Sequence, residues 1–218
     1  VRADVSNFFT HKGFVEIMNN SLTKGAYYTN CNTFPDDKSV RLLNPLSTDL
    51  DTMRQTLIFG GLEVISYNIK HQNSSLKLYE IGNVYSYSPK ADNADAEPAA
   101  NLKSYREAQR LALFISKPAV KFLHNELGGG SYFMMKGYLE LLLKRFNANS
   151  YDLEMVPAPQ DIFSEGLEYK LQGKSLAIMG SINKDMLKKF DIKQPVYVAE
   201  VAWPVLFELV KRDKVKYK

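Results

Sequence analysis

The stretch from Leu42 to Ser88 constrains the possible folds of this chain more than any other. Leu57, Ile58, Leu62, Ile65 and Ile69 fall on one helical stripe, the spacing of a helix that buries a single side. Lys77 to Tyr87 then alternates apolar and polar residues, as a half-buried strand does, and reads as a strand continuing into a second one. Gly60 and Gly61 lie inside the helical stripe. Each costs about 1 kcal/mol there relative to alanine, so the pair marks either a helix start or close approach by another backbone.

The flanking segments alternate in the same irregular way. Val1, Val5, Phe8 and Phe9 recur at helical spacing, with Gly13 as a C-terminal stop. Phe14 to Asn20 alternates like a strand. Ser88 to Glu107 is rich in Asp, Ala and Pro with almost nothing large and apolar, and is expected to be a mobile loop or a protruding hairpin. Gln109 to Ser116 returns to strand character. Ser131 can cap a helix running to about Asn147, with Met134, Tyr138, Leu141, Leu142 and Arg145 on one side. Leu167–Leu171 and Leu176–Met179 flank Gln172-Gly173-Lys174-Ser175, a hairpin pattern. A short helix near Lys184 to Phe190, a strand from Val196 to Ala202 and a helix opening at Pro204 follow. Strands without regular βα alternation predict an α+β fold with a mainly antiparallel sheet.

At 218 residues and 45% hydrophobic, the chain can bury a sizeable core as one domain spanning residues 1–218. Both ends read as cuts in a longer protein. No run approaches the roughly 20 apolar residues of a membrane span, and the single Cys31 cannot form an internal disulfide, which points to the cytoplasm. The net charge of +4 is compatible with nearby RNA. Its densest basic run, Lys211 to Lys218, has the composition of a solvated terminus.

Motifs for independent chemistry are few. Gly173-Lys174-Ser175 resembles the end of a phosphate-binding loop, but strand pattern lies on both sides and the leading position holds Glu168; a hairpin turn fits better. Gly128-Gly129-Gly130 before Ser131 could present backbone donors to an anion or simply connect two elements. His11, His71 and His124 have no paired metal-ligand spacing. Arg54 is the cation best placed to make bidentate bonds, with Asp49, Asp51 or Glu80 as candidate partners. Glu80 is expected to make a structural hydrogen bond.

Taken in order, Asn44-Pro45-Leu46-Ser47, Met53-Arg54-Gln55-Thr56-Leu57 and Leu78-Tyr79-Glu80-Ile81-Gly82-Asn83-Val84-Tyr85 resemble the phenylalanyl-tRNA synthetase β-subunit family. Met135-Lys136-Gly137, Gly173-Lys174, Gly180-Ser181-Ile182 and Leu187 to Ile192 extend the resemblance over nearly the whole chain. It implies a class II aminoacyl-tRNA synthetase-like antiparallel sheet flanked by helices. In active class II enzymes the strand matching Tyr79 to Tyr85 runs into an arginine that pairs with the ATP α-phosphate; here Ser86 follows. The glycine-rich third motif ending in arginine is also missing, since Glu200-Val201-Ala202-Trp203 carries none. Ser164-Glu165-Gly166 stands where the family has histidine-proline-glycine.

The resemblance therefore implies a non-catalytic core: no catalytic residue, no metal and no cofactor in this fragment, with Arg54, Glu80 and Ser86 at degenerate active-site positions. It implies a parent heterotetramer of two α and two β chains, in which α activates phenylalanine with ATP and Mg²⁺ and charges tRNA(Phe). Helix, Gly-Phe and strand resemble the first class II motif, which builds subunit interfaces in that superfamily, so Val5, Phe8, Phe9 and Phe14 are the expected contacts with α or the second β chain. Two other readings remain open at this point. One is a divergent domain still binding ATP through Arg54 or Arg106; the other is an RNA-binding module.

Overall fold

The computed structural model describes residues 1–88, 104–116, 120–122, 125–127, 132–146, 148 and 153–212, with backbone alone at 120–122, 125–127 and 209–212. The chain begins with α1 (Arg2–His11), which ends before Gly13 at φ 80°, a left-handed turn suited to glycine. Short strands β1 (Val15–Glu16) and β2 (Leu22–Thr23) follow, then two 3-10 turns and strands β3 (Val40–Arg41) and β4 (Thr52–Met53). Next come α2 (Ile58–Lys70), β5 (Leu76–Tyr87), β6 (Tyr105–Ser116), and the hairpin β7 (Val120–Phe122) and β8 (Asn125–Leu127). The remainder is α3 (Tyr132–Arg145), β9 (Leu153–Pro157), β10 (Phe163–Leu171), β11 (Lys174–Ile182), α4 (Lys184–Lys189), β12 (Val196–Ala202) and α5 (Trp203–Arg212).

One seven-stranded sheet, ordered β1-β5-β6-β12-β11-β10-β9, organises the chain. Its pairs are antiparallel except β1 with β5 at one edge. Both faces are covered. On one side Val5 and Phe9 of α1, Met135, Leu139 and Leu142 of α3, and Leu206 of α5 pack on Tyr79, Leu111, Leu113, Ala199 and Val201. On the other, Ile58, Leu62 and Ile65 of α2 and Met186 and Leu187 of α4 pack on Leu78, Phe114 and Val198, together with Tyr28 and Cys31. Strand alternation assigns successive side chains of β5, β6 and β12 to these two cores.

Gln172 and Gly173 sit at φ 50° and φ 77° between β10 and β11, the two positive-φ positions of a tight hairpin turn; this is the Gly-Lys-Ser segment. Asn183 caps α4 by accepting a hydrogen bond from the Met186 amide at 2.7 Å.

The structure corrects several sequence readings. The strand expected from Phe14 to Asn20 pairs only at Val15 and Glu16, because the Asn19 amide and side chain turn to the Glu80 carboxylate instead. Lys77 to Tyr87 is one continuous strand, held in register by β6 along its length. β6 starts at Tyr105, earlier than Gln109, because Tyr105 pairs with Tyr87 and their rings lie 5.3 Å apart. The inward side of α3 is Met135, Leu139, Leu142 and Leu143; Met134 and Leu141 point outward. The helix has apolar residues on both sides, so periodicity alone did not select the buried one. The Asp- and Ala-rich segment 89–103, the glycine run 128–130, Ser131, His124 and residues 213–218 lie outside the described residues.

Candidate functional site: a closed sheet face

Arg54 and Glu80 converge where β4 leads into α2 and crosses β5. Arg54 is fixed first by its backbone, whose N–H donates to Ser21 O at 2.9 Å and whose carbonyl accepts from Tyr85 at 2.8 Å. Its guanidinium then lies across β5. Nε donates to Asn83 O at 2.8 Å, and Nη1 to Glu80 Oε1 at 2.6 Å and Asn19 O at 3.4 Å. The remaining Glu80 lone pairs take the Asn19 amide at 3.2 Å and Asn19 Nδ2 at 2.7 Å. The two side chains are 8% and 2% exposed. Gly82 is required beneath them, because a Cβ there would collide with Arg54 Nη2.

A second buried carboxylate closes the neighbouring end of α2. Glu200 of β12 accepts from Thr56 Oγ1 at 2.7 Å and from the Leu57 amide at 2.8 Å, while Thr56 Oγ1 accepts from the Ile58 amide at 3.1 Å. A carboxylate here meets free amide donors and the positive end of the helix dipole. Beside it the Tyr28 hydroxyl accepts from the Gln55 amide at 2.8 Å, and Gln55 Nε2 donates to Pro35 O and Ser39 Oγ. Burial pushes the Tyr28 hydroxyl well above the usual phenol range, so it stays protonated.

Sequence reasoning singled out Arg54 and Glu80, and the structure brings them together; neither Asp49 nor Asp51 reaches Arg54. Those aspartates serve Lys24 at 3.1 Å and the Gly25 amide at 2.7 Å. Glu200 was missed as a site residue. Its signal was present, as one acid inside the apolar run Val196 to Trp203, on the same strand face as Val198.

Ser86 lies directly opposite Arg106 on β6. Arg106 is exposed and makes no ion pair among the described residues. His11 and His71 are exposed and bond carbonyls in their own helices. Among the described residues no group of His, Cys, Asp and Glu could hold a metal ion.

The four expected contact residues divide. Val5 and Phe9 are fully buried and Phe14 is 2% exposed, all within the chain's own core. The reason is packing: Phe9 meets Phe14 and Tyr79 at 5.4 and 5.9 Å between centroids, and Phe14 meets Tyr138 at 5.0 Å. Phe8 is half-buried, beside Phe9 and under the Arg145 guanidinium at 5.7 Å.

Residues 1–203 match the family described as phenylalanyl tRNA synthetase beta chain CLM domain. The chain is 39% identical over 209 residues to the phenylalanine–tRNA ligase beta subunit of Bacteroides fragilis, covering 94% of this chain and 25% of that protein. The corresponding protein of Porphyromonas gingivalis is 37% identical over 215 residues, covering 97% of this chain and 26% of its own length. The chain thus spans about a quarter of the curated relatives it matches. Among solved structures, pyrrolysyl-tRNA synthetase from Desulfitobacterium hafniense superposes with a TM-score of 0.69 at 11% identity, over 97% of this chain and 68% of that one. That likeness is one of fold: a class II synthetase sheet.

Proposed function

The chain belongs to the phenylalanyl-tRNA synthetase β-chain family, and from that premise we propose that it is a non-catalytic core of a phenylalanine–tRNA ligase β subunit, packing against the α chain that performs the chemistry. The observation carrying this reading is the Arg54–Glu80 pair. In the sheet region where active class II relatives hold their substrates, Arg54 and Glu80 are bonded to one another and to Asn19 and Asn83, while Arg106 and Arg110 on the same face make no ion pair among the described residues.

Chemistry on ATP requires cations free to meet phosphate charge in the transition state. Arg54 is committed to a carboxylate and two carbonyls, and Ser86 stands at the position of the phosphate-pairing arginine. Both buried carboxylates, Glu80 and Glu200, are engaged by donors of the chain itself. These residues do not fit a nucleotide and its magnesium, so no step is assigned to them. ATP, Mg²⁺, phenylalanine and tRNA(Phe) belong in this reading to the parent complex, with two α and two β chains in the cytoplasm. No described helix is long and apolar enough to cross a membrane.

The test is ATP–pyrophosphate exchange. The chain alone should give background rates with phenylalanine, and the α chain should co-purify with it and carry the activity. Phenylalanine-dependent exchange by the chain alone overturns the reading, as does failure of α to bind.

A further inference from the structure

We propose that the outward face of α3, centred on Gly137, seats a helix of the α chain that carries acidic residues along its flank. This deepens the function proposed above and rests on it. Two observations lead here, and each concerns a group that the chain's own structure leaves unexplained.

The first is Gly137 itself. A Cβ built on it would meet nothing within 4 Å, so no contact among the described residues needs a glycine there. Glycine in a helix interior nonetheless weakens the helix relative to alanine. Phe133 and Leu141, one turn before and after on the same side, are 77% and 48% exposed. Large apolar residues flanking an open glycine form a notch, and such a notch lets a second helix cross at close range.

The second is the Tyr169 hydroxyl. Tyr169 is 2% exposed, yet its oxygen has no hydrogen-bond partner among the described residues. It lines a cleft of about 330 Å³ between α3 and the β9–β10 edge, with Glu140, Leu143, Lys144, Ala148, Leu153 and Met155. Burial, with the Glu140 charge adding to it, holds the hydroxyl protonated, so it is a donor awaiting an acceptor.

Charge and continuity select the occupant. The exposed flank of α3 carries Lys136, Lys144 and Arg145 against Glu140, which is already paired with Lys136 at 3.7 Å. Lys144 forms no ion pair among the described residues. Acidic side chains on the incoming helix complement this flank and supply an acceptor for Tyr169. Arg145 over Phe8 joins this face to α1, whose half-buried Phe8 is the one expected contact residue left outside the core, so one partner can cover both.

The test co-expresses the chain with the α chain of the same synthetase and measures their affinity, alongside the melting temperature of the chain alone. Gly137→Leu fills the notch and improves helix propensity. The expected result is an unchanged or higher melting temperature with at least tenfold weaker association. Tyr169→Phe should weaken association several-fold without lowering the melting temperature, and Lys144→Glu should weaken it more at low salt than at high salt. Wild-type affinity in Gly137→Leu overturns the proposal while leaving the proposed function standing. A lowered melting temperature for Gly137→Leu in the absence of α also overturns it, because the notch would then be filled by this chain. No association of the wild-type chain with α defeats the proposed function itself, and this inference with it.

Discussion

Arg54 and Glu80 meet 2.6 Å apart inside the sheet, from segments 26 residues apart in sequence, and the same contact ties down Asn19. A buried pair of this kind does not make the chain stable by itself, since desolvating two charges offsets most of their attraction. Its consequence is an asymmetry: either partner without the other is an uncompensated buried charge. Glu80→Gln should therefore cost about 3–5 kcal/mol of unfolding free energy, and Arg54→Met should cost a similar amount. The double substitution should cost clearly less than the sum, which a denaturant-melt double-mutant cycle measures. A loss below about 1 kcal/mol in Glu80→Gln would contradict the burial argument.

The pair also shows how far the sequence could be read. The sequence offered Asp49, Asp51 and Glu80 as partners of Arg54; choosing Glu80 needed the crossing of the β4–α2 segment over Gly82, a long-range event with no local signal. Alternation at Leu167–Leu171 and the short apolar runs Leu176–Met179 and Val196–Ala202 made β10, β11 and β12 legible, and the Gln172-Gly173 turn carried its own chemistry. β2, β3 and β4 were not legible, since two-residue strands hold no period. α3 misled for the opposite reason: with apolar residues on two sides, its pattern fits two orientations, and only packing against the sheet decides between them. Val5, Phe9 and Phe14, expected against a partner and found in the chain's own core, reflect the same ambiguity, because sequence cannot distinguish a core face from an interface core.

Gly61 supplies a sharper packing test than any core leucine. A Cβ at this position would run into the Phe114 ring, which is fully buried on the interior strand β6. The gain in helix propensity from Gly61→Ala, about 1 kcal/mol, should be exceeded by overpacking of about 1–3 kcal/mol. Gly61→Ala should thus lower the melting temperature, and the double variant Gly61→Ala with Phe114→Leu should recover part of the loss. A higher melting temperature in the single variant would show that the ring can move aside.

An arginine placed at Ser86 should not give this chain ATP chemistry. Ser86→Arg places a second guanidinium directly across the strand pair from Arg106, and like charges opposite each other destabilise a sheet by roughly 0.2–1 kcal/mol. No phenylalanine-dependent pyrophosphate exchange should appear, and the melting temperature should fall slightly, recovering with added salt. Exchange above the wild-type background would mean that Ser86 alone silences this domain.

Acid should loosen the loop that carries Cys31. Burial alone would raise the Asp161 carboxyl, but hydrogen bonds from Thr33 Oγ1, from the Thr33 amide at 2.8 Å and from Cys31 Sγ at 3.5 Å outweigh it and hold the group below the usual carboxylate range. A carboxyl depressed by folding adds stability that is complete above its unfolded value, near 3.9. That stability is lost as pH falls through the lower folded value. Asp161→Asn should flatten the acid limb of the stability curve in that window. The thiol provides a second readout, because burial raises the Cys31 pKa and keeps it protonated and slow to alkylate at neutral pH. Asp161→Asn or Thr33→Ala should speed alkylation; unchanged rates in both would disconnect the thiol from this network.

Phe8 and Phe9 separate the chain's own core from a surface offered to a partner. Adjacent residues on a helix point about 100° apart, and α1 has one face on the sheet. Phe9 is on that face with no exposed area, edge-on to Phe14 and close to Tyr79. Phe8 sits at the margin, half-buried, with its ring against Phe9 and Arg145. Phe9→Ala should therefore cost about 3–5 kcal/mol in the chain alone. Phe8→Ala should cost much less, because part of its area is exposed before any partner binds. In the complex with α the order should reverse: Phe8→Ala should weaken assembly of a folded chain, while Phe9→Ala should reduce assembly only in proportion to unfolding. Stability measured by denaturant melts and affinity measured on the folded fraction separate the two effects. Equal affinity of wild type and Phe8→Ala for α would remove α1 from the interface, and with it the continuity that joins this helix to the notch at Gly137.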